Sequence, residues 1–427
     1  MGVMFIQKIR ELLISHKYML SIFTVLTFGA MLNIPGPSGM SNYITTPYLV
    51  SYEFGFGPRM FIGSVVDIFT DYVSNYFIWS FIIICTLLLL LLVSYYLEKV
   101  IENTENLLKY AVVFLVIVYL LSPASILYLS IYNDFGRFDL YLLLLTLIAL
   151  LFAKHKCTAL CIPVVCFICM AIHQIYLCTF APLIVLILLY EVYQNKFSKY
   201  WLCILIVTVL TLCSSFIYFQ FFAELNVSSV NELIMYIAPS TNLGINSGSL
   251  DAAYFRTTET HFLSSFPTFE TVIRKGLRTL LFLSPLFVLF LAIWIKTIRQ
   301  TPNKREKIFY LICMLSPLAA FPAFIIAIDW GRWLAGLIIV QFAIIFYLMY
   351  HKDRYLLQSL RDMSSWAKDN LWALIPVMLY LPMLGYFREV TPLPILYNNM
   401  YLNYIENIIL SIGNWLIDSI GQIFLII

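Results

Sequence analysis

An all-α, polytopic membrane bundle of about twelve transmembrane helices is the fold class the sequence predicts, and three observations predict it. Charged residues make up 11% of the 427 and hydrophobic ones 62%. Soluble domains carry about 25% charged residues, so this chain has too few to coat a water-facing globule. Apolar runs long enough to cross a bilayer, roughly 20 residues each, recur along its length. Within runs such as Ile82–Val93 apolar and polar residues do not alternate, which excludes a barrel. The backbone in lipid must then satisfy itself as helix.

Taken in order, the apolar segments run over approximately 18–34, 76–97, 108–132, 140–153, 157–173, 175–193, 200–222, 279–298, 308–328, 333–350, 371–387 and 405–425. The fourth and fifth are short, and the last carries Asn414 and Asp418. The first lacks a small-residue cleavage site and reads as a span, not a removed signal. With the N-terminus inside, 18 of the 26 Lys and Arg residues fall on the cytoplasmic side, as the positive-inside rule requires. Residues 1–427 therefore read as a single membrane domain, and a GT-C-like architecture is open to it.

Two outer segments are long. Residues 35–75 open on Pro35-Gly36-Pro37-Ser38-Gly39 and continue into an aromatic stretch, Tyr48–Tyr72, expected as a helix lying at the interface. Residues 223–278, rich in Ser, Thr, Asn and Gly, are too long for an ordinary connection. They predict a partly folded periplasmic lid or binding loop.

The net charge of +3 gives no reason to expect nucleic acid as a partner. The nine cysteines all lie in or beside apolar runs, so they imply no disulfide framework, and Cys161, Cys166 and Cys169 read as small packing residues. No Gly-x4-Gly-Lys cradle, zinc spacing or Gly-x-Ser-x-Gly elbow occurs, and the first outer loop has no Asp-x-Asp pair. The reading accordingly includes no metal and no cofactor.

Seven of the eight outer basic residues are arginine, whereas the inner set is mostly lysine. Topology needs only positive charge; planar, five-donor arginine suits fixed recognition of phosphate or carboxylate. Three of the outer arginines sit in related corners. Asp134-Phe135-Gly136-Arg137-Phe138 and Asp329-Trp330-Gly331-Arg332-Trp333 share the pattern Asp-aromatic-Gly-Arg-aromatic, and Gly55-Phe56-Gly57-Pro58-Arg59 again sets arginine beside glycine and an aromatic. Glycine permits tight turns, and arginine at headgroup depth binds an anion bidentately. The plainer reading makes these corners interfacial anchors. Convergence on a diphosphate or another anionic group is the sharper one, with Arg59, Arg137, Arg332, Asp139, Trp330 and Trp333 binding substrate. Asp139, two residues after Arg137, is expected to pair with it.

His173, in Ala171-Ile172-His173-Gln174-Ile175, lies between two apolar runs at the outer boundary. Imidazole titrates near neutrality and is the commonest general base; the plainer reading is a histidine bonded to a carbonyl at a helix turn. His261 in the large loop is a weaker candidate. Asp134 and Asp329 are the other candidate bases.

With these residues in view, the chain resembles the Wzy-type O-antigen and capsular polysaccharide polymerases. The likeness rests on the spans, the large outer loop, and the Gly-Phe-Gly-Pro-Arg, Asp-Phe-Gly-Arg, Ile-His-Gln and Asp-Trp-Gly-Arg-Trp elements. One departure is that no outer-loop arginine among Arg256, Arg274 and Arg278 begins the Arg-x10-Gly pattern of some members. The resemblance implies glycan transfer from an undecaprenyl-diphosphate carrier onto a lipid-linked repeat unit at the periplasmic face of a bacterial inner membrane. His173 would be the base, with Asp134 or Asp329 behind it, and the arginines would hold the leaving diphosphate. It implies lipid-linked glycans and membrane lipids as partners and leaves room for a chain-length regulator protein.

Three other readings compete. A glycosyltransferase using a polyprenyl-phosphate sugar would rely on first-loop acids such as Glu53 and Asp67. A lipid-linked oligosaccharide transporter would place charges midway along the spans. An O-acyltransferase would draw its acyl donor from inside, where His155 lies.

Overall fold

The computed structural model describes residues 16–131, 134–256, 272–326, 329–388 and 407–413, together with 268 and 270. Among these no strand occurs. The helices of eight or more residues are α1 (Lys17–Met31), α2 (Phe61–Phe69), α3 (Asn75–Glu102), α4 (Lys109–Leu121), α5 (Asp139–Phe152), α6 (Ile162–Ile172) and α7 (Ala181–Gln194). They continue with α8 (Lys199–Phe221), α9 (Val230–Ile237), α10 (Arg278–Gln300), α11 (Lys304–Leu315), α12 (Trp330–Tyr350), α13 (Arg354–Asp369) and α14 (Leu374–Met383).

Six segments, 75–102, 109–130, 199–221, 278–300, 304–325 and 330–350, are long and apolar enough to cross a membrane; five shorter apolar helices accompany them. Each of the first eleven apolar segments read from the sequence overlaps one of these helices. The twelfth is described only over 407–413, and Asn414, Asp418 and His261 lie outside the described residues. Capping fixes several starts: Ser74 accepts from the Phe77 N–H of α3, Asn303 from Arg305 of α11, and Asp353 from Leu356 of α13. Each satisfies a donor that the first helical turn leaves unpaired.

Central α12 is buried along nearly its whole length and packs against α3, α7, α11 and α13. α5 packs between α3, α6 and α7. Gln341 ties three helices together: its Oε1 accepts from Trp294 Nε1 (2.7 Å), and its Nε2 donates to the Cys313 carbonyl (3.0 Å) and to Ser316 Oγ (2.8 Å). On the perimeter, Ile84, Leu88, Ile206, Leu210, Leu281 and Val288 are exposed. Water does not cover so continuous an apolar face in a soluble monomer, whereas hydrocarbon does.

Two elements differ from the sequence reading. The stretch Tyr48–Tyr72 is not one helix but 3-10 turns at Thr46–Leu49 and Tyr52–Phe54, followed by α2. Gly55 at φ +119° and Arg59 at φ +65° interrupt it, because neither conformation continues a right-handed helix. The region after α12, read as a connecting loop, contains α13. Its buried Leu356, Leu360, Ser364 and Ala367 recur at helical spacing, and the helix packs on α10 and α4.

The two long segments fold onto each other. Val73 N–H donates to Ser240 O (2.8 Å), Asn226 N–H to Phe54 O (2.8 Å), Asn246 N–H to Thr46 Oγ1 (2.9 Å) and Ser249 Oγ to Tyr43 O (2.6 Å). The described part of the large loop is therefore a folded cap, anchored to the segment that carries Arg59. The end bearing this cap and the three arginine corners is called the arginine end below, and the opposite one the lysine end.

Candidate functional site at the arginine end

The two Asp-aromatic-Gly-Arg corners are built alike. Each is preceded by an apolar helix that stops at a Leu-Ser-Pro sequence, Leu121-Ser122-Pro123 after α4 and Leu315-Ser316-Pro317 after α11. A short 3-10 turn follows each, Ile126–Ser130 and Ser316–Ala320. Proline lacks a donor and cannot extend the ladder, so the regular helix breaks at each Leu-Ser-Pro; a further short helix, Phe321–Ile326, then leads into the second corner. In both corners the arginine pairs with the aspartate three residues earlier: Arg137 Nε with Asp134 Oδ1 at 2.7 Å, and Arg332 Nη1 with Asp329 Oδ2 at 2.7 Å.

Beyond that the corners diverge. Arg332 also donates from Nε (2.9 Å) and Nη2 (2.7 Å) to Asp139 Oδ2. Asp139, expected as a partner for Arg137, thus joins the start of α5 to the start of α12. Gly136 has φ +92°, and its carbonyl accepts from the buried Tyr48 hydroxyl, which also contacts Tyr141 Oη at 2.7 Å. Gly331 is needed for a different reason: a Cβ there would meet the Arg388 carbonyl oxygen at 1.7 Å.

Arg59 arrives from the third corner. Its N–H donates to the Ala171 carbonyl at the end of α6 (3.0 Å). Its carbonyl accepts from Tyr254 Oη (3.3 Å), and its Nη1 reaches the Ala252 carbonyl at 3.5 Å. Among the described residues no carboxylate pairs with it, and its buried Nε has no hydrogen-bond partner. Burial pulls the Arg59 pKa below its ordinary value, opposed by Tyr254 and reinforced by the nearby Arg332 guanidinium. A guanidinium still keeps its proton, so Arg59 holds a positive charge in a partly desolvated setting. Burial in turn raises the Tyr254 phenol above its usual range, with Arg59 acting the other way.

His173 stands just past α6 in extended backbone, φ −166° and ψ 124°. Its Nδ1 accepts from the Ile175 N–H at 3.2 Å, which leaves Nε2 as the protonated nitrogen of the neutral ring. Burial drives its pKa well below 6.5, and Arg59, Arg332 and Arg137, in that order, add to the effect. All three arginines named from the sequence therefore act electrostatically on one imidazole.

The site has two layers. Asp134, Asp139, Arg137 and Arg332 are buried, each at most 8% exposed. Arg59, His173 and Asp329 are partly exposed, and Asp329 Oδ1 has no hydrogen-bond partner among the described residues. Trp330 and Trp333, named as substrate-binding, are buried and pack with Ala323 against Ile175 and Cys178. The Arg332 guanidinium lies 5.0 Å from the Trp333 ring centroid, so Trp333 backs Arg332, while the Trp330 indole N–H donates to the Phe324 carbonyl at 3.1 Å.

Sequence reading missed Tyr128, which lies beside Asp139, Arg332 and Asp134, and Tyr254, 195 positions from Arg59. The repeated Leu-Ser-Pro could have drawn attention to the 126–130 turn; no local signal marks Tyr254. No group of three or more His, Cys, Asp or Glu among the described residues is placed to hold a metal ion. Comparison with protein-family models, with curated proteins and with solved structures found no match to this chain.

Proposed function

We propose that this chain is a Wzy-type polymerase of bacterial surface glycans. It would move a glycan from an undecaprenyl-diphosphate carrier to a lipid-linked repeat unit at the periplasmic face of the inner membrane, with its N-terminus cytoplasmic. The observation that supports the reading is that the charges of Arg59, Arg332 and Arg137 all bear on His173, while Arg59 is held by the long-loop carbonyl of Ala252. Lysine-rich loops at the other end support the orientation.

In this reaction the acceptor hydroxyl oxygen bonds to the donor's anomeric carbon. The bond from that carbon to the carrier diphosphate breaks, and the diphosphate leaves with the electron pair. Arg59 and the His173 Nε2–H are the donors offered to that developing charge, and positioned donors in a site sheltered from water are effective stabilisers. The hydroxyl proton needs a base. His173 is ill-suited, since its Nδ1 is engaged and three guanidiniums disfavour a cationic ring. Asp134 is buried. Asp329, partly exposed and with no partner at Oδ1 among the described residues, takes that role, and Arg137, Arg332 and Asp139 hold the donors in place.

A second reading has one observation in its favour. Arg59 is the corner arginine for which no carboxylate is found among the described residues, and a single guanidinium suits a donor with one phosphate, as in a polyprenyl-phosphate sugar. A reconstituted assay offered both donors separates the two. Glycan ladders from cells producing Arg59→Ala test the enzymatic reading as a whole. Loss of long chains is expected, while wild-type ladders at normal protein levels would rule it out.

A further inference from the structure

We propose that an apolar cleft at the lysine end binds one acyl chain of an anionic phospholipid, with Lys154 holding the head-group phosphate. This inference is independent of the glycan chemistry above and concerns the opposite end of the bundle.

The cleft lies between α3, α5 and α12, with Val93, Leu97, Leu147, Leu150, Phe342 and Phe346 in its walls. Its α12 wall runs from Ile339 to Tyr350, which at 1.5 Å per residue makes it roughly 16 Å long, enough for much of one acyl chain. Such walls offer water nothing to bond with, so a hydrocarbon chain is the occupant they favour.

The polar groups gather at one end. Lys154 Nζ stands 4.8 Å from the Tyr350 ring centroid, 5.3 Å from Tyr95 and 5.5 Å from Tyr96. No carboxylate pairs with it among the described residues. His351 is close enough for Lys154 to act on its charge, and its buried Nε2 has no hydrogen-bond partner. The ring packs 4.3 Å from Tyr347. A half-buried ammonium with no carboxylate partner among the described residues, at the mouth of an apolar slot, matches a molecule that is anionic at one end and hydrocarbon for the rest. Tyrosine faces hold the ammonium in place but do not neutralise it. Bilayer phospholipid with a net negative head meets that description, and a zwitterionic head meets it less well.

Native mass spectrometry of the full chain in detergent, titrated with phosphatidylglycerol or phosphatidylcholine of matched chains, tests this. Phosphatidylglycerol should be retained preferentially. Lys154→Gln should lower its retention about fivefold, the effect of one basic residue at a membrane surface, and Lys154→Arg should keep it. Ala343→Phe, which fills the cleft from α12, should reduce retention of both lipids. Equal retention of the two lipids by the wild type would overturn the proposal. So would unchanged phosphatidylglycerol retention in Lys154→Gln with wild-type Tm, or displacement of phosphatidylglycerol by a polyprenyl phosphate at equal concentration. Should Ala343→Phe fail to fold, the two Lys154 variants still decide.

Discussion

Arg332 and Asp139, 193 positions apart, are joined by two hydrogen bonds from Nε and Nη2 of the guanidinium to one carboxylate oxygen, at 2.9 and 2.7 Å. Both side chains are buried, so removing one leaves the other's charge unsatisfied. Arg332→Ala is expected to destabilise the fold by about 3–5 kcal/mol, read as Tm in detergent. Arg332→Leu combined with Asp139→Leu should recover much of that loss. Equal Tm for the single and double variants would show that the pair has no structural role.

Arg59 should behave differently. It leaves no buried carboxylate behind, and alanine is no more strained than arginine at φ +65°. Arg59→Ala is therefore expected to retain near wild-type Tm while slowing transfer in a reconstituted assay about 100- to 1000-fold, the effect of one anion-stabilising donor. A variant with full activity would remove Arg59 from the site.

The lowered His173 pKa fixes the sign of a pH effect. Unfolded, the imidazole takes a proton near pH 6.5; folded, it stays neutral well below that. The unfolded chain then binds the extra proton, so stability falls as pH drops below about 6.5, by up to ~1.4 kcal/mol per pH unit. Tm measured from pH 7.5 to 5 should fall less steeply in His173→Gln than in the wild type. Identical slopes would mean that the ring titrates normally.

Gly331 tests how closely the second corner is packed. A Cβ there meets backbone, the Arg388 carbonyl oxygen, at 1.7 Å, so Gly331→Ala forces α12 and the 388 segment apart. A loss of at least about 1–3 kcal/mol is expected. Gly36→Ala, with nothing within 4 Å of its Cβ, should leave Tm unchanged. Size-exclusion profiles and Tm of the two variants provide the check.

The sequence by itself determined the all-helical class and the approximate position of eleven apolar segments, because hydrophobicity over 20 residues is a local property that lipid reads directly. It also marked Arg59, Arg137, Arg332 and His173, through glycine-bearing corners and arginine where lysine would have sufficed. Only the tertiary structure decided that Asp139 serves Arg332, that Trp333 backs the same guanidinium, and that Tyr254 and the Ala252 carbonyl reach Arg59. Those relationships depend on which helix ends and loop segments pack together, and no periodicity along the chain encodes a pairing between residues nearly two hundred positions apart.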